Sequence, residues 1–291
     1  MRKLYTDMQL RGFSETTIDS YILGVKKFFT YVTNPNINAL NEADFRSFLT
    51  ALHQQDNLKA STINHYNSIV RFFYEVTLEK NLNYKRVPHA KTYKTRPEVL
   101  SPDELLILFD EITNLKHFAF FINLYGSGLR ISEMASLKTQ DILKNKMLLH
   151  VSDGKGGKER FTPLTDAGYW AFQLYWKRYR PGNARNYVFP DYTKTRSLSS
   201  AAFDSMIRKI AKESSLSKSV SSHTLRHSFA THMLQSGTDL MTLKEMLGHS
   251  SLSSTALYLH LSMVDTSNNR SPTDVTAELR DRFDTRMFCH G

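Results

Sequence analysis

Cysteine is almost missing from this sequence: one residue, Cys289, in 291. A lone thiol excludes a disulfide framework and any zinc site built on cysteine pairs, and it fits a reducing compartment. Long apolar runs are missing too. None approaches the ~20 residues that span a bilayer, which excludes a helical membrane-spanning protein. The N-terminus, MRKLYTDMQLRGFSETT, is polar and has no signal-peptide apolar stretch. No low-complexity tract, basic tail or internal repeat occurs. Acid is in short supply: 28 Asp and Glu against 38 Lys and Arg leave a net charge of +10 and a pI near 9.5. A field of that sign attracts polyanions, nucleic acid foremost. With no basic tail to carry it, the charge must lie on folded surfaces.

What is present is a chain 41% hydrophobic and long enough for two domains. The first ninety residues carry helical periodicity. Ile18, Tyr21, Ile22, Val25, Phe28, Phe29 and Val32 form one apolar face, and Asn34-Pro35-Asn36 ends it. Phe45, Phe48, Leu49 and Leu52 form a second face, starting near Asn41. Ile63, Tyr66, Ile69, Val70, Phe73 and Val76 form a third, from about Ser61. The pattern predicts a small helical bundle over 1–84. Residues 85–100 hold two prolines and several Lys and Arg without helical period, and read as a basic interdomain linker. Ser101-Pro102-Asp103-Glu104 is a full helix-start signal, so a second domain is expected over 101–264. It should be mostly helical. Met147–Val151 and Arg160–Leu164 read as short strands flanking a glycine-rich turn, Asp153 to Lys158. Gly237 and Gly248 read as helix C-caps. A polar stretch from 265 to 272 precedes a short amphipathic tail helix with Val275, Leu279 and Phe283 on one face; the tail spans 265–291.

Several groups in the second domain suit a phosphodiester. His223 and Arg226 are three apart and share a helical face at a helix start. A guanidinium matches two phosphate oxygens through its planar fork, and a histidine beside it moves a proton near neutral pH. Leu247-Gly248-His249 puts another histidine at a helix end, and Tyr258 follows on a helix. Upstream, Arg130 follows Gly128-Leu129, and Lys155 lies in the glycine-rich turn. Taken singly, each has an ordinary structural reading: surface decoration for His-x-x-Arg, core packing for a helical tyrosine, a solvated hairpin turn for Gly-Lys-Gly-Gly-Lys. That turn lacks the full phosphate-loop spacing. His223 and His227 have the spacing of two helical zinc ligands, but His-Glu-x-x-His and a clear third ligand are missing, so no metal is expected.

Together, Arg130, Lys155, His223-x-x-Arg226, His249 and Tyr258 resemble the tyrosine recombinases of the phage-integrase type, most closely the compact Xer-like members. Gly128-Leu129-Arg130-Ile131-Ser132-Glu133 resembles the family's first-arginine box, and Gly154 to Arg160, running on to Pro163-Leu164, its lysine hairpin. His223 to His232 resembles its second box, and Leu247-Gly248-His249-Ser250 and the stretch to Tyr258 complete the set. Ser222 stands where many relatives have proline, and Leu259-His260 where Thr-His is common. The N-terminal region is similar to the family's core-binding domain. No separate arm-binding domain is expected ahead of residue 14.

The resemblance implies a mainly α fold with a small β-sheet: an N-terminal helical core-binding (SAM-like) domain and a C-terminal α+β catalytic domain. It implies site-specific DNA recombination, for integration, excision or resolution, through a covalent 3′-phosphotyrosyl intermediate at Tyr258, with no cofactor. In the implied roles, Arg130 and Arg226 clamp the phosphate, His223 assists proton removal from the tyrosine, Lys155 is the general acid, and His249 bonds the phosphate. Expected partners are double-stranded DNA with inverted-repeat core sites and further subunits. Monomers in solution would assemble as a homo-tetramer, or a hetero-tetramer with a paralogue, on two DNA sites, the tail docking on a neighbouring subunit. A bacterial, cytoplasmic, nucleoid-associated protein is expected. Lys59, Ser61, Thr62, Asn64, His65 and Arg71 are candidate N-terminal DNA contacts. Two alternatives stay open, a type IB topoisomerase-like relaxing enzyme and a non-catalytic DNA-binding protein. A metal-dependent nuclease is a weaker fourth reading.

Overall fold

Helix-start residues punctuate the N-terminal part of the chain. Ser14 Oγ accepts from the Thr17 amide, and Asn41 and Asp44 close a reciprocal capping box, so side chains satisfy orphan amides at both starts. The helices are α1 (Arg2–Gln9), α2 (Glu15–Tyr31), α3 (Glu42–Gln54) and α4 (Ala60–Phe72). The computed structural model describes residues 1–32, 36–92, 96–152, 159–179, 186–262 and 270–288. The chain divides into two compact units, Met1–Thr95 and Arg96–Gly291. The expected helix stop at Asn34-Pro35 lies outside the described residues.

Aromatic residues dominate the first unit's core. Phe28, Phe45, Phe48 and Tyr74 are buried, with Phe45 stacked on Tyr74 and Phe28 edge-on to Phe48. Such pairs add to the burial term. Helix α4 runs on through a π turn at Phe73–Thr77, where the Leu78 amide reaches back to the Phe73 carbonyl. The segment read as the start of a linker is instead bound to this unit. Asn64 Nδ2 donates to the Ala90 carbonyl while Oδ1 accepts from the Ala90 amide, at 2.8 and 2.7 Å. Asn67 holds the Pro88 carbonyl, Arg71 holds the Val87 carbonyl, and Val87 is buried in the core. An extended chain with two prolines cannot pair its own amides, so side chains of α4 satisfy its carbonyls.

Near the start of the second unit, buried Leu100 donates its amide hydrogen to Ser228 Oγ. Ser101 and Glu104 then form the expected capping box with Pro102 at the first helical position. The helices are α5 (Pro102–Asp110), α6 (Leu115–Ser127), α7 (Ile131–Ser136), α8 (Asp166–Tyr179), α9 (Ser200–Glu213), α10 (Ser222–Gln235), α11 (Leu240–Leu247), α12 (Leu252–Ser262) and α13 (Pro272–Phe288). A three-stranded antiparallel sheet, β1 (Ile142–Leu143), β2 (Leu148–Val151) and β3 (Arg160–Pro163), has the order β1-β2-β3. Leu149 pairs with Thr162 and Val151 with Arg160. Helix α6 is the centre: nearly all its residues are buried, including Phe118, Phe120, Phe121 and Tyr125. A helix apolar all round must be covered on all sides, here by α7, α8, α10 and α13.

The tail helix, α13, packs on its own unit. Val275, Leu279 and Phe283 are buried, and Phe283 stacks on Phe118 at 3.9 Å. Arg282 pairs with Asp110, and Arg286 donates to the Asp110 carbonyl. Its apolar stripe lies against α5, α6 and α8 of the same unit. Residues 265–269 of the polar stretch read at 265–272, and Cys289, lie outside the described residues. Among the described residues, no helix is long and apolar enough to cross a membrane.

Candidate active site

Two glycine caps bring the catalytic unit's arginines together. Helix α6 ends at Gly128 and α11 at Gly248, both in the left-handed region, with φ of +62° and +64°. Neither has room for a side chain. A Cβ on Gly128 would lie 2.2 Å from the Phe229 ring, and one on Gly248 would lie 2.9 Å from Arg160 Cδ. The last carbonyls of a helix lack partners and carry the negative end of its dipole. Here they accept from guanidinium groups. Arg226 Nη1 donates to the Gly128 carbonyl at 2.7 Å and Nη2 to the Leu247 carbonyl at 2.6 Å. Arg130 Nη2 donates to the Gly248 carbonyl at 3.2 Å.

A buried carboxylate completes the frame. Glu133 takes Arg130 Nη1 on Oε1 at 2.7 Å and the Arg130 amide on Oε2 at 2.7 Å. Arg160 binds the same carboxylate through both Nη atoms at 2.9 and 2.6 Å, and its Nε donates to the Met246 carbonyl at 2.8 Å. Arg160 therefore ties β3, α7 and the end of α11 to one point. These cations hold the Glu133 carboxyl below its usual range even though burial opposes ionisation. One carboxylate faces Arg130, Arg160 and Arg226, so positive charge is left over. Burial, with Arg130 nearby, pushes Arg226 down to about 10, still charged at neutral pH.

His249 and Tyr258 close the group. Arg226 Nη2 lies 3.2 Å from His249 Nε2. A guanidinium only donates, so Nε2 accepts and the ring proton sits on Nδ1, which donates to Thr255 Oγ1 at 3.0 Å. His249 is thus neutral. Desolvation first, then Arg226 and Arg130, drive it down to about 4. Its ring lies over that of Tyr258, centroids 6.3 Å apart and planes 18° from parallel. Tyr258 is 2% exposed. Burial pushes its phenol up, while Arg226 and Arg130 pull it down.

Of the six expected catalytic residues, Arg130, Arg226, His249 and Tyr258 converge here. Lys155 and its turn lie outside the described residues. His223 is exposed on the first turn of α10, and among the described residues it makes no hydrogen bond to Tyr258. His227, one turn further on, makes that bond instead: Nδ1 lies 2.9 Å from Tyr258 Oη. Glu133, Arg160, Thr255 and His227 were not singled out from sequence as site residues, although Glu133 lies one helical turn from Arg130 and in reach of it. No group of three or more His, Cys, Asp or Glu able to hold a metal occurs among the described residues.

The N-terminal candidates divide. Asn64 and Arg71 are committed to the backbone at 87–90. Lys59, Ser61, Thr62 and His65 are exposed along the start of α4, with His65 in reach of Ser20 at 3.3 Å.

Comparison with known proteins points one way. The phage integrase family profile matches residues 98–264, and the profile for the phage integrase N-terminal SAM-like domain matches residues 1–84. Tyrosine recombinase XerD of Listeria monocytogenes is 32% identical over 270 residues, covering 86% of this chain and 90% of that protein. The fold matches XerH site-specific recombinase bound to its difH substrate, with a TM-score of 0.69 and 21% identity over 87% of this chain and 78% of that one. It also matches the lambda integrase tetramer bound to a Holliday junction, with a TM-score of 0.70 and 18% identity over 86% and 76%.

Proposed function

On the premise that this chain belongs to the phage integrase family, and as a tyrosine recombinase cleaves and rejoins DNA, we propose that Tyr258 is its nucleophile and that Arg130, Arg226 and His249 hold the scissile phosphate. One observation carries this reading: two arginines, oriented by backbone carbonyls and Glu133, meet a histidine stacked on a tyrosine. The phenolic oxygen attacks phosphorus, the 3′-phosphotyrosyl bond forms and a 5′-hydroxyl leaves. A 5′-hydroxyl of a partner strand reverses the step. The ester bond is conserved at each stage, so no external energy source is needed.

The pentavalent transition state carries extra negative charge on the non-bridging oxygens. Cations fixed before the reaction stabilise it without reorganising. Arg226 and His249 would exchange some of their present hydrogen bonds for phosphate oxygens. Exposed His223, on the Arg226 side of α10, is suited to reach the same phosphate from solvent. Lys155 is assigned as the acid for the leaving 5′-oxygen, because Gly154 to Arg160 resembles the family's lysine hairpin in sequence. Lys59, Ser61, Thr62 and His65 are assigned to the DNA backbone or bases near the first unit. The substrate is duplex DNA with inverted-repeat sites, bound by a tetramer on two sites, as the lambda integrase tetramer on a Holliday junction suggests. The recombinase relatives favour this over simple relaxation or binding without cleavage.

The test needs the protein's own site, selected from randomised duplexes and footprinted. On a nicked suicide duplex carrying it, wild type should form a covalent protein–DNA adduct that denaturing gels retain. Tyr258→Phe should bind the duplex and form none. An adduct in the Phe variant, or none in wild type, overturns the proposal.

A further inference from the structure

The phenol of Tyr258 already has a partner. His227 Nδ1 lies 2.9 Å from Oη, within the 2.6–3.2 Å required of a group that takes a proton during reaction. His223 is one turn nearer the helix start and solvent, its ring stacked on that of His227 at 6.3 Å and 27°. The two histidines share one face of α10, and the crossing of α12 brings the inner one to the tyrosine. We propose that His227 is a further catalytic residue of strand cleavage, taking the phenolic proton onto Nδ1 as the bond from Tyr258 Oη to phosphorus forms. The assignment rests on Tyr258 being the nucleophile.

The groups around His227 support the direction of transfer. His223 and Arg226 face it from its own helix, Tyr258 from α12, and His249 from the end of α11. Desolvation, then His223 and Arg226, hold it down to about 4, so near neutral pH it is uncharged and its lone pair is available. Before DNA arrives the proton stays on the phenol, whose burial opposes ionisation. A phosphate anion entering the site favours imidazolium beside it. Oη loses its basicity as it bonds to phosphorus. Proton transfer is thereby coupled to attack. The Oη–P bond forms, the P–O5′ bond breaks, the phenolic proton rests on His227, and the departing 5′-oxygen takes a proton from the acid assigned to Lys155. In rejoining, the 5′-hydroxyl attacks and returns its proton to the group assigned to Lys155, while Oη leaves and recovers its proton from His227.

Protonated His227 cannot accept, so adduct formation should fall as pH drops through its pKa in the DNA complex. Single-turnover adduct formation by wild type, His227→Asn and His223→Asn would be followed against pH on the suicide duplex, with gel-shift affinity as the check on folding. Expected is a roughly 10²-fold slower reaction for His227→Asn with its acid limb gone, and an acid limb retained in His223→Asn. Persistence of the limb in His227→Asn, or its loss only in His223→Asn, overturns the assignment. A DNA-free readout guards against a misfolded variant. In protein labelled with 3-fluorotyrosine, the resonance that Tyr258→Phe removes should shift in His227→Asn and in His227→Gln; an unmoved resonance in both overturns the contact. Failure of wild type to form any adduct would instead remove the reading of Tyr258 as nucleophile.

Discussion

The two units use polar side chains in opposite ways. In the first, buried or half-buried polar groups secure the backbone: Asn64, Asn67 and Arg71 hold residues 87–90, and Tyr74 donates to the Asn41 carbonyl. Its ion pair between Lys27 and Asp56 stays partly in water, with 32% and 25% of the side chains exposed. In the second, charge itself is buried. The Arg160 and Glu133 side chains are 8% and 5% exposed, and Arg226 is nearly enclosed. Burying ions costs several kcal/mol each unless every lone pair and proton is matched. The catalytic unit bears that cost where a preorganised field is useful, and the other unit avoids it. The N-terminal unit therefore stands on apolar packing and side-chain bonds to its backbone, and the catalytic unit adds a buried cluster of charges.

The largest expected effect tests that contrast directly. Arg160→Met leaves the Glu133 carboxylate buried with one of its two guanidinium partners gone. It should destabilise the catalytic unit by about 3–5 kcal/mol, the usual result of removing one member of a buried pair. Arg130 would lose part of its anchorage, so adduct formation should fall as well. Lys27→Met, the matching cut in the first unit, should cost about 1 kcal/mol or less, because that pair is screened by solvent. Denaturant unfolding of both variants measures the ratio. Equal losses would mean that the two units do not differ in how they use charge.

Much of this frame was legible in advance, for a physical reason. Capping and periodicity are local, so Ser101-Pro102-Asp103-Glu104 and the faces around Phe28, Phe48 and Ile69 declare themselves within a turn or two. Gly128 and Gly248 mark helix ends for the same reason. The Arg160–Glu133 contact was not legible. Its partners are joined only when β3 lies beside α7, and nothing in Lys158-Glu159-Arg160 tells a buried arginine from a solvated one. The choice between His223 and His227 depends on where α12 crosses α10, and two residues on one helical face look alike until that crossing is known. Likewise Val275, Leu279 and Phe283 announce an apolar stripe but not what covers it.

Acid should separate the units next. His227, His249 and His232 are each held down to about 4 in the folded catalytic unit, with burial the first cause. An unfolded histidine titrates near 6.5. Between those values the unfolded chain binds more protons, so this contribution is complete above about pH 6.5 and is lost as pH falls toward 4. Among the first unit's described histidines, His89 alone is lowered, chiefly by burial. Calorimetry of the whole chain should therefore show the catalytic transition moving down by several degrees more than the N-terminal one between pH 7.5 and pH 5. Parallel shifts would break the contrast.

The smallest effect separates scaffold from contact inside the first unit. Asn64 makes two hydrogen bonds to Ala90, so Asn64→Ala should lower that unit's stability by about 1–2 kcal/mol. Lys59 stands exposed at the N-cap of α4, and its side chain makes no capping bond. Lys59→Ala should leave unfolding unchanged. If Lys59 meets a phosphate, the slope of log affinity against log salt should flatten by about 1, because one fewer counterion is released on binding. Asn64→Ala should keep the wild-type slope, since a side chain that holds Ala90 neutralises no phosphate. Weaker binding by Asn64→Ala at an unchanged slope, with stability intact, would move that residue from the scaffold to the DNA interface.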